Sequence, residues 1–311
     1  MRRRSEGLAQ SVQTRLVRHA HDTNVDPNLV MARFASERFL YRLSRSAYVR
    51  RFVLKGALLL AAWLGEAIRP TRDADLLGFG DLSDAELHRI FGEVCRVEIE
   101  PDGLVFDAST IAIADIRPED AYGGKRIVLW SYLGPARLRV QVDVGLGDAV
   151  VPEPEWLDYP SLLDLPRPRL RAYRPETAIA EKVHAMVVLG TKNSRTRDFF
   201  DVHALSERES FDGTRLTQAL RATFERRRTA IPAELPIALT SAFAEVEGKR
   251  AQWRGFLRRN RLSAAPEDLG TAIATLAGFL GPVLAAARRG DAYDFHWRPG
   301  GPWALARAQT S

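Results

Sequence analysis

The sequence predicts an α+β protein in two parts: a mixed-sheet lobe with helices over residues 1–170, then a mostly helical lobe over 171–311. Three observations lead there. Short segments that alternate or carry β-branched residues crowd the stretch from about Val105 to Val144. A connector holding several prolines follows, Pro152 to Pro175. Beyond it the apolar residues recur with helical spacing.

The elements follow in order. The first stretch reads as helical, and Asp26 can cap a second helix whose first position is Pro27 and whose amphipathic run reaches about Leu43. Phe52-Val53-Leu54 predicts a short strand that meets Lys55-Gly56-Ala57, and an apolar helix runs from Leu58 to Leu64, ending near Gly65. Asp73 to Phe79 predicts a strand. Asp84 to Cys95 predicts a helix, with Ser83 and Glu86 at the spacing of a capping box. Ile111–Ala114, Arg126–Trp130 and Arg137–Val144 read as strands, with a turn at Gly123-Gly124. The segment Pro152–Pro175 reads as an extended connector. Helices are expected at Glu176–Leu189, Arg197–Ser206, Thr214–Arg227, Gly248–Arg259 and Pro266–Arg288, and the tail from Asp291 reads as irregular.

Composition narrows the function classes. The chain has 311 residues, 46% of them hydrophobic, enough for one large domain or two packed lobes. Its single cysteine, Cys95, excludes an intramolecular disulfide, fits a reducing compartment and reads as a small packing residue. The start is basic, but no apolar core of a secretory signal follows it. The longest apolar stretch, Leu58 to Leu64, falls far short of the roughly 20 residues that span a bilayer. A cytoplasmic protein without a membrane partner is therefore expected. The formal charge of +6 leans towards an anionic partner. Forty of the 45 cations are Arg, so the five lysines stand out, and Lys55, Lys182 and Lys192 fall in or beside the motifs.

The sharpest local feature is Asp73-Ala74-Asp75. On a strand, residues i and i+2 share a face, so both carboxylates would crowd one small volume and would need a cation between them. Magnesium (or manganese) suits that role, because it is hard and shares oxygen ligands with substrate phosphates. A solvated strand end is the alternative. In Arg139-Val-Gln-Val-Asp-Val144 the valines share one face, and Arg139, Gln141 and Asp143 share the other. Asp143 could thus join Asp73 and Asp75 from a neighbouring strand, or lie on an exposed face. Asp148, just past Gly145-Leu-Gly147, reads as a turn residue. Lys55-Gly56-Ala57 places a glycine turn before a helix N-terminus, which suits phosphate and equally suits an ordinary strand–helix turn.

Further along, Lys182 lies in a stripe with Ile179, Met186 and Leu189. A lysine there wants an anion, either a nearby carboxylate or a phosphate, unless it snorkels to the surface. Asp198 and Asp201 share a helix face, where acids near a helix start also favour the dipole. Arg195 and Arg197 could meet phosphate or RNA. His184 and His203 read as packing residues, and no Cys/His spacing suggests zinc. Between Thr214 and Arg261, 11 Arg or Lys stand against four Glu, interleaved with Phe224, Trp253 and Phe256. Either a nucleic-acid backbone or plain solvation would suit such a face.

Taken together, Lys55-Gly-Ala-Leu-Leu-Leu60, Arg69-Pro-Thr-Arg-Asp-Ala-Asp-Leu-Leu-Gly-Phe-Gly80, Gln141-Val-Asp-Val-Gly-Leu-Gly-Asp148, Glu176-Thr-Ala-Ile-Ala-Glu-Lys-Val183 and Arg197-Asp-Phe-Phe-Asp201 resemble the AbiEii/AbiGii family of toxin nucleotidyltransferases. The motifs come in the family's order, within the DNA-polymerase-β-like nucleotidyltransferase layout. The resemblance implies a nucleotidyltransferase-like mixed sheet and transfer from a nucleoside triphosphate to the 3′ end of tRNA, which blocks translation. It implies a cognate antitoxin protein as partner. It also implies metal on Asp73, Asp75 and Asp143, substrate phosphate on Lys182, and Asp198 in the active centre. Nucleotide would meet Lys55, Gly56, Ala57, Thr71, Lys182 and Arg197, with Thr71 matching a hydroxyl that is phosphorylated in some relatives. Two departures stand out: Ala57 replaces the serine common after this glycine, and Arg197 stands where relatives often have Lys.

Overall fold

The computed structural model describes residues 2–65, 71–116, 123–262 and 265–306. The chain divides into two compact units. The first takes the described residues up to Trp63, those from Thr71 to Gly147, and Glu155–Ala172. The second takes Leu64 and Gly65, Asp148–Pro154 and the described residues from Tyr173 onward.

In the first unit, helices α1 (Arg2–Asp22) and α2 (Pro27–Arg45) come first. Then follow strand β1 (Phe52–Lys55), helix α3 (Ala57–Leu64), strand β2 (Ala74–Gly78) and helix α4 (Asp84–Cys95). Strands β3 (Leu104–Ile116), β4 (Gly124–Leu133), β5 (Ala136–Leu146), β6 (Glu155–Asp158) and β7 (Arg169–Ala172) complete the set. All seven join one mixed sheet in the order β3-β4-β5-β2-β1-β7-β6. Strand β2 runs parallel to β5 and antiparallel to β1.

Local chemistry accounts for the helix starts. The Asp26 side chain accepts from the Asn28 amide beside Pro27 at N1. Ser83 Oγ accepts from the Glu86 amide, but Glu86 does not reach back as a full capping box requires. Its carboxylate takes Arg51 and Arg89 instead, and Asp81 satisfies the Ser83 amide. The apolar face of β5 is Val140, Val142 and Val144, all fully buried, with α2 packed on that strand. Phe39 of α2 stacks on Phe91 of α4 at 5.4 Å and meets Phe106 of β3 edge-on at 5.6 Å. Cys95 is half-buried, and burial pushes its thiol up to about 12, which fits a packing residue.

Two expectations are corrected here. The segment Pro152–Pro175 is more than an extended connector: β6 and β7 form an antiparallel pair, and β7 joins the sheet beside β1 through Leu54 and Ala172. Their four-residue length and flanking prolines hid them from pattern reading. Strand β2 begins at Ala74, so Asp73 immediately precedes it. Strand β4 begins at Gly124, and the residues before Gly123 lie outside those described.

The second unit holds helices α5 (Pro175–Leu189), α6 (Thr196–Arg208), α7 (Gly213–Arg226), α8 (Ser241–Glu245), α9 (Lys249–Arg259) and α10 (Leu269–Arg289). Strands β8 (Phe211–Asp212), β9 (Phe295–Trp297) and β10 (Trp303–Leu305) form a separate three-stranded sheet. The described part of the tail, expected to be irregular, thus carries two paired strands. Trp297 donates to the Ser206 carbonyl at 2.7 Å, and Trp303 donates to that of Phe279 at 2.9 Å. Their rings close over Phe279 at 4.8 and 5.7 Å.

Among the described residues one helix, α10, is long and apolar enough to cross a membrane. Its Ile273, Leu276, Phe279, Leu280 and Val283 are buried in the unit, against α6, α7, α8 and α9. A core helix passes the same test of length and composition.

Candidate active site

The first unit gathers charge along one line of its sheet. Residues directly opposite one another on neighbouring strands point to the same face. Arg126 of β4 is opposite Asp143 of β5, Asp143 is opposite Asp75 of β2, and Asp75 is opposite Lys55 of β1. Four adjacent strands thus present Arg, Asp, Asp and Lys as one row. Two like charges side by side repel, and the cations at both ends of the row offset that repulsion.

Asp143 is held tightly. Arg126 Nε donates to its Oδ1 at 2.9 Å and Nη2 donates to its Oδ2 at 2.7 Å, a two-pronged ion pair. Gln141, two residues back on the same face, donates to Oδ1 at 3.2 Å. The Asp143 carboxylate also holds the Arg126 guanidinium in its charged form.

Asp73 is half-buried, and its carboxyl is raised above the usual range. Burial is the main cause and the Asp143 charge the second, while Arg139, Arg126 and Arg72 pull the other way. Burial and the neighbouring acid together outweigh the three arginines at Asp73.

Gly56 shapes the floor beside Asp75. Its φ is +74°, a region glycine tolerates, and a Cβ there would overlap the Asp75 carboxylate. Ala57 opens α3 directly after it. The Thr71 hydroxyl lies 3.5 Å from the Asp73 carbonyl. Arg69 and Pro70, the first residues of that motif, lie outside the described residues.

The second unit carries a separate charged cluster. Lys182 Nζ donates to Asp201 Oδ2 at 2.6 Å and to Asp198 Oδ1 at 3.2 Å. Arg195 Nε pairs with Asp198 Oδ2 at 2.7 Å. Both aspartates are fully buried, so they supply the anion that a lysine in this stripe demands. Arg197 stays exposed on α6.

His184 packs edge-on against Phe224 at 5.1 Å. Its Nδ1 takes Arg227 at 3.3 Å, which assigns the proton to Nε2, 2.9 Å from Thr229 Oγ1. Burial, then the Arg227 charge, pushes it down to about 4. Burial also lowers His203, and both histidines are packing residues as expected. Asp148 is more than a turn residue, since it accepts from Arg227 Nη2 at 2.9 Å.

Sequence reading missed Arg126, although the signal was present. Gly134-Pro135 forms a two-residue hairpin loop, with Leu133 opposite Ala136 and φ of +58° at Gly134. Such a loop fixes the register of both strands, and counting back from it puts Arg126 opposite Asp143. Among the described residues, no three of the His, Cys, Asp and Glu side chains converge into a ready metal cage.

Comparison with known proteins gives the family. Residues 38–275 match the model of the nucleotidyl transferase AbiEii toxin, type IV toxin–antitoxin system. No curated protein matches the chain. Among solved structures, JHP933 from Helicobacter pylori is 15% identical, covering 84% of this chain and 92% of its own at a TM-score of 0.43. A candidate nucleotidyltransferase from H. pylori is also 15% identical, covering 81% and 92% at a TM-score of 0.41. The matched residues make up most of the chain, which therefore belongs to the AbiEii family of nucleotidyl transferase toxins of type IV toxin–antitoxin systems.

Proposed function

We propose that this protein is a metal-dependent toxin that transfers nucleotides from a nucleoside triphosphate to the 3′ end of tRNA, acting in the cytoplasm and restrained by a cognate antitoxin. The observation that carries the reading is the row Lys55–Asp75–Asp143–Arg126, with Asp73 beside it on a motif of the matched family.

The donor chemistry fits magnesium. The acids offer oxygen ligands only, and a cation bound there would offset the burial and the Asp143 charge that raise the Asp73 carboxyl. Magnesium usually takes one or two carboxylates and completes its shell with phosphate and water, so a ready three-carboxylate cage is not required. Asp73 and Asp75 would hold it, with Asp143 as third ligand. Bound there, the ion would neutralise the triphosphate and the leaving pyrophosphate.

The remaining work falls to the chain. The acceptor 3′ hydroxyl gives up its proton to solvent and its oxygen bonds to the α-phosphorus as the bond to the bridging oxygen breaks and pyrophosphate leaves. Asp143 helps activate the acceptor hydroxyl. Backbone N–H groups at Gly56-Ala57 and the Lys55 ammonium take phosphate oxygens. Lys182, in the second unit, is assigned a phosphate by family resemblance and would exchange part of its hold on Asp198 and Asp201 for it. The basic stretch Thr214–Arg261 would follow the RNA backbone.

The test is incubation with tRNA, magnesium and each labelled nucleoside triphosphate. Label on tRNA is the expected result. Label on a protein band would make the acceptor a protein. Tight nucleotide binding without transfer to any acceptor would make the protein a binding module.

A further inference from the structure

The two acids in the row are not equivalent. Asp143 carries a bidentate guanidinium on one side and the Gln141 amide on the same oxygen. A carboxylate has about four lone-pair sites, and three are taken by these donors. The Asp143 side chain is 18% exposed, whereas that of Arg126 is 44% exposed. The acid is fixed in the sheet, and its cation stands at the solvent side.

We propose that Arg126 is a positioning residue that occupies Asp143 as a resident counter-cation and competes with the divalent ion for it. This rests on reading the row as a metal-dependent transferase site. Three observations carry it. The guanidinium binds the oxygens that a third metal ligand would have to offer. On its far side the strand partner of Arg126 is Ala114, so among the described residues no acid stands opposite it on β3 to draw the guanidinium away from Asp143. The planar fork matches a phosphate as well as a carboxylate, so a bound triphosphate gives it a second partner.

A coupling follows. Without nucleotide, Arg126 keeps Asp143 occupied and the site holds metal weakly. With nucleotide, the fork has a phosphate to turn to, Asp143 is freed and metal binds more tightly. Nucleotide and metal then load together, each raising the affinity for the other by the same factor.

The experiment is a titration of the full chain with Mn2+, following the free ion by electron paramagnetic resonance, with and without a non-hydrolysable nucleoside triphosphate. Wild type is expected to bind Mn2+ weakly alone and more tightly with nucleotide. Arg126→Met and Arg126→Gln, each checked for folding by thermal melting, are expected to bind Mn2+ about fivefold more tightly without nucleotide. In both, the gain on adding nucleotide should shrink. Arg126→Lys, which keeps the charge but not the fork, is expected to fall between wild type and these two variants. A residue needed only for structure would not tighten metal binding when removed. Unchanged or weaker binding in folded Arg126→Met and Arg126→Gln would overturn the competition while leaving the metal site intact. No Mn2+ binding by wild type, even with nucleotide, would overturn the metal reading itself.

Discussion

Gly56 and Asp75 are packed so closely that the carboxylate fills the space a side chain at residue 56 would need. The glycine also has a φ of +74°. Both facts bind the turn after β1 to the acid on β2.

Gly56→Ala should therefore cost roughly 1–3 kcal/mol of stability, from backbone strain and overlap together. It should also displace Asp75 and reduce transfer. Urea denaturation checks the first effect. A variant as stable as wild type would contradict the packing.

Lys182 offers a stability test of its own. It is ion-paired to two fully buried aspartates. Lys182→Met should cost roughly 3 kcal/mol, because two buried carboxylates lose a shared cation. Adding Asp201→Asn should recover part of the loss. Lost activity with unchanged stability would instead make phosphate the main partner of Lys182.

His184 gives a pH dependence with a definite sign. Its ordinary value is 6.5 and burial lowers it to about 4, so it folds neutral. The unfolded chain protonates it first. Its contribution is complete above about 6.5, fades as pH falls, and is gone near 4. The partly exposed ring makes this roughly 1–2 kcal/mol. His184→Gln should flatten that part of the stability profile. Equal slopes for both proteins would exclude His184 as a source.

Ala57, the first residue of α3, offers no side-chain hydroxyl beside the Gly56 turn. Ala57→Ser should lower KM for the triphosphate about threefold to tenfold, the worth of one added hydrogen bond. An unchanged KM in steady-state kinetics would place phosphate away from this turn.

The helices were legible because caps and apolar spacing are local. Asp26 with Pro27, and Ser83 before Asp84, mark helix starts that the structure reproduces. The polar face of β5 followed from valine alternation alone. The short strands β6, β7, β9 and β10 were not legible, since their pairing is set by distant partners and prolines interrupt the pattern. At the candidate site, the acids stood out as a motif. Arg126 did not, because its role depends on register across a hairpin. The partners of Lys182 were named as candidates, but only the fold chooses carboxylates.

The most direct measurement is label transfer from a nucleoside triphosphate to tRNA over a magnesium titration, comparing wild type with Asp73→Ala and Asp75→Ala. Wild type should transfer label in proportion to bound magnesium, and both folded variants should transfer none. Transfer by either variant at the wild-type rate, or by wild type with the metal chelated, would contradict the account.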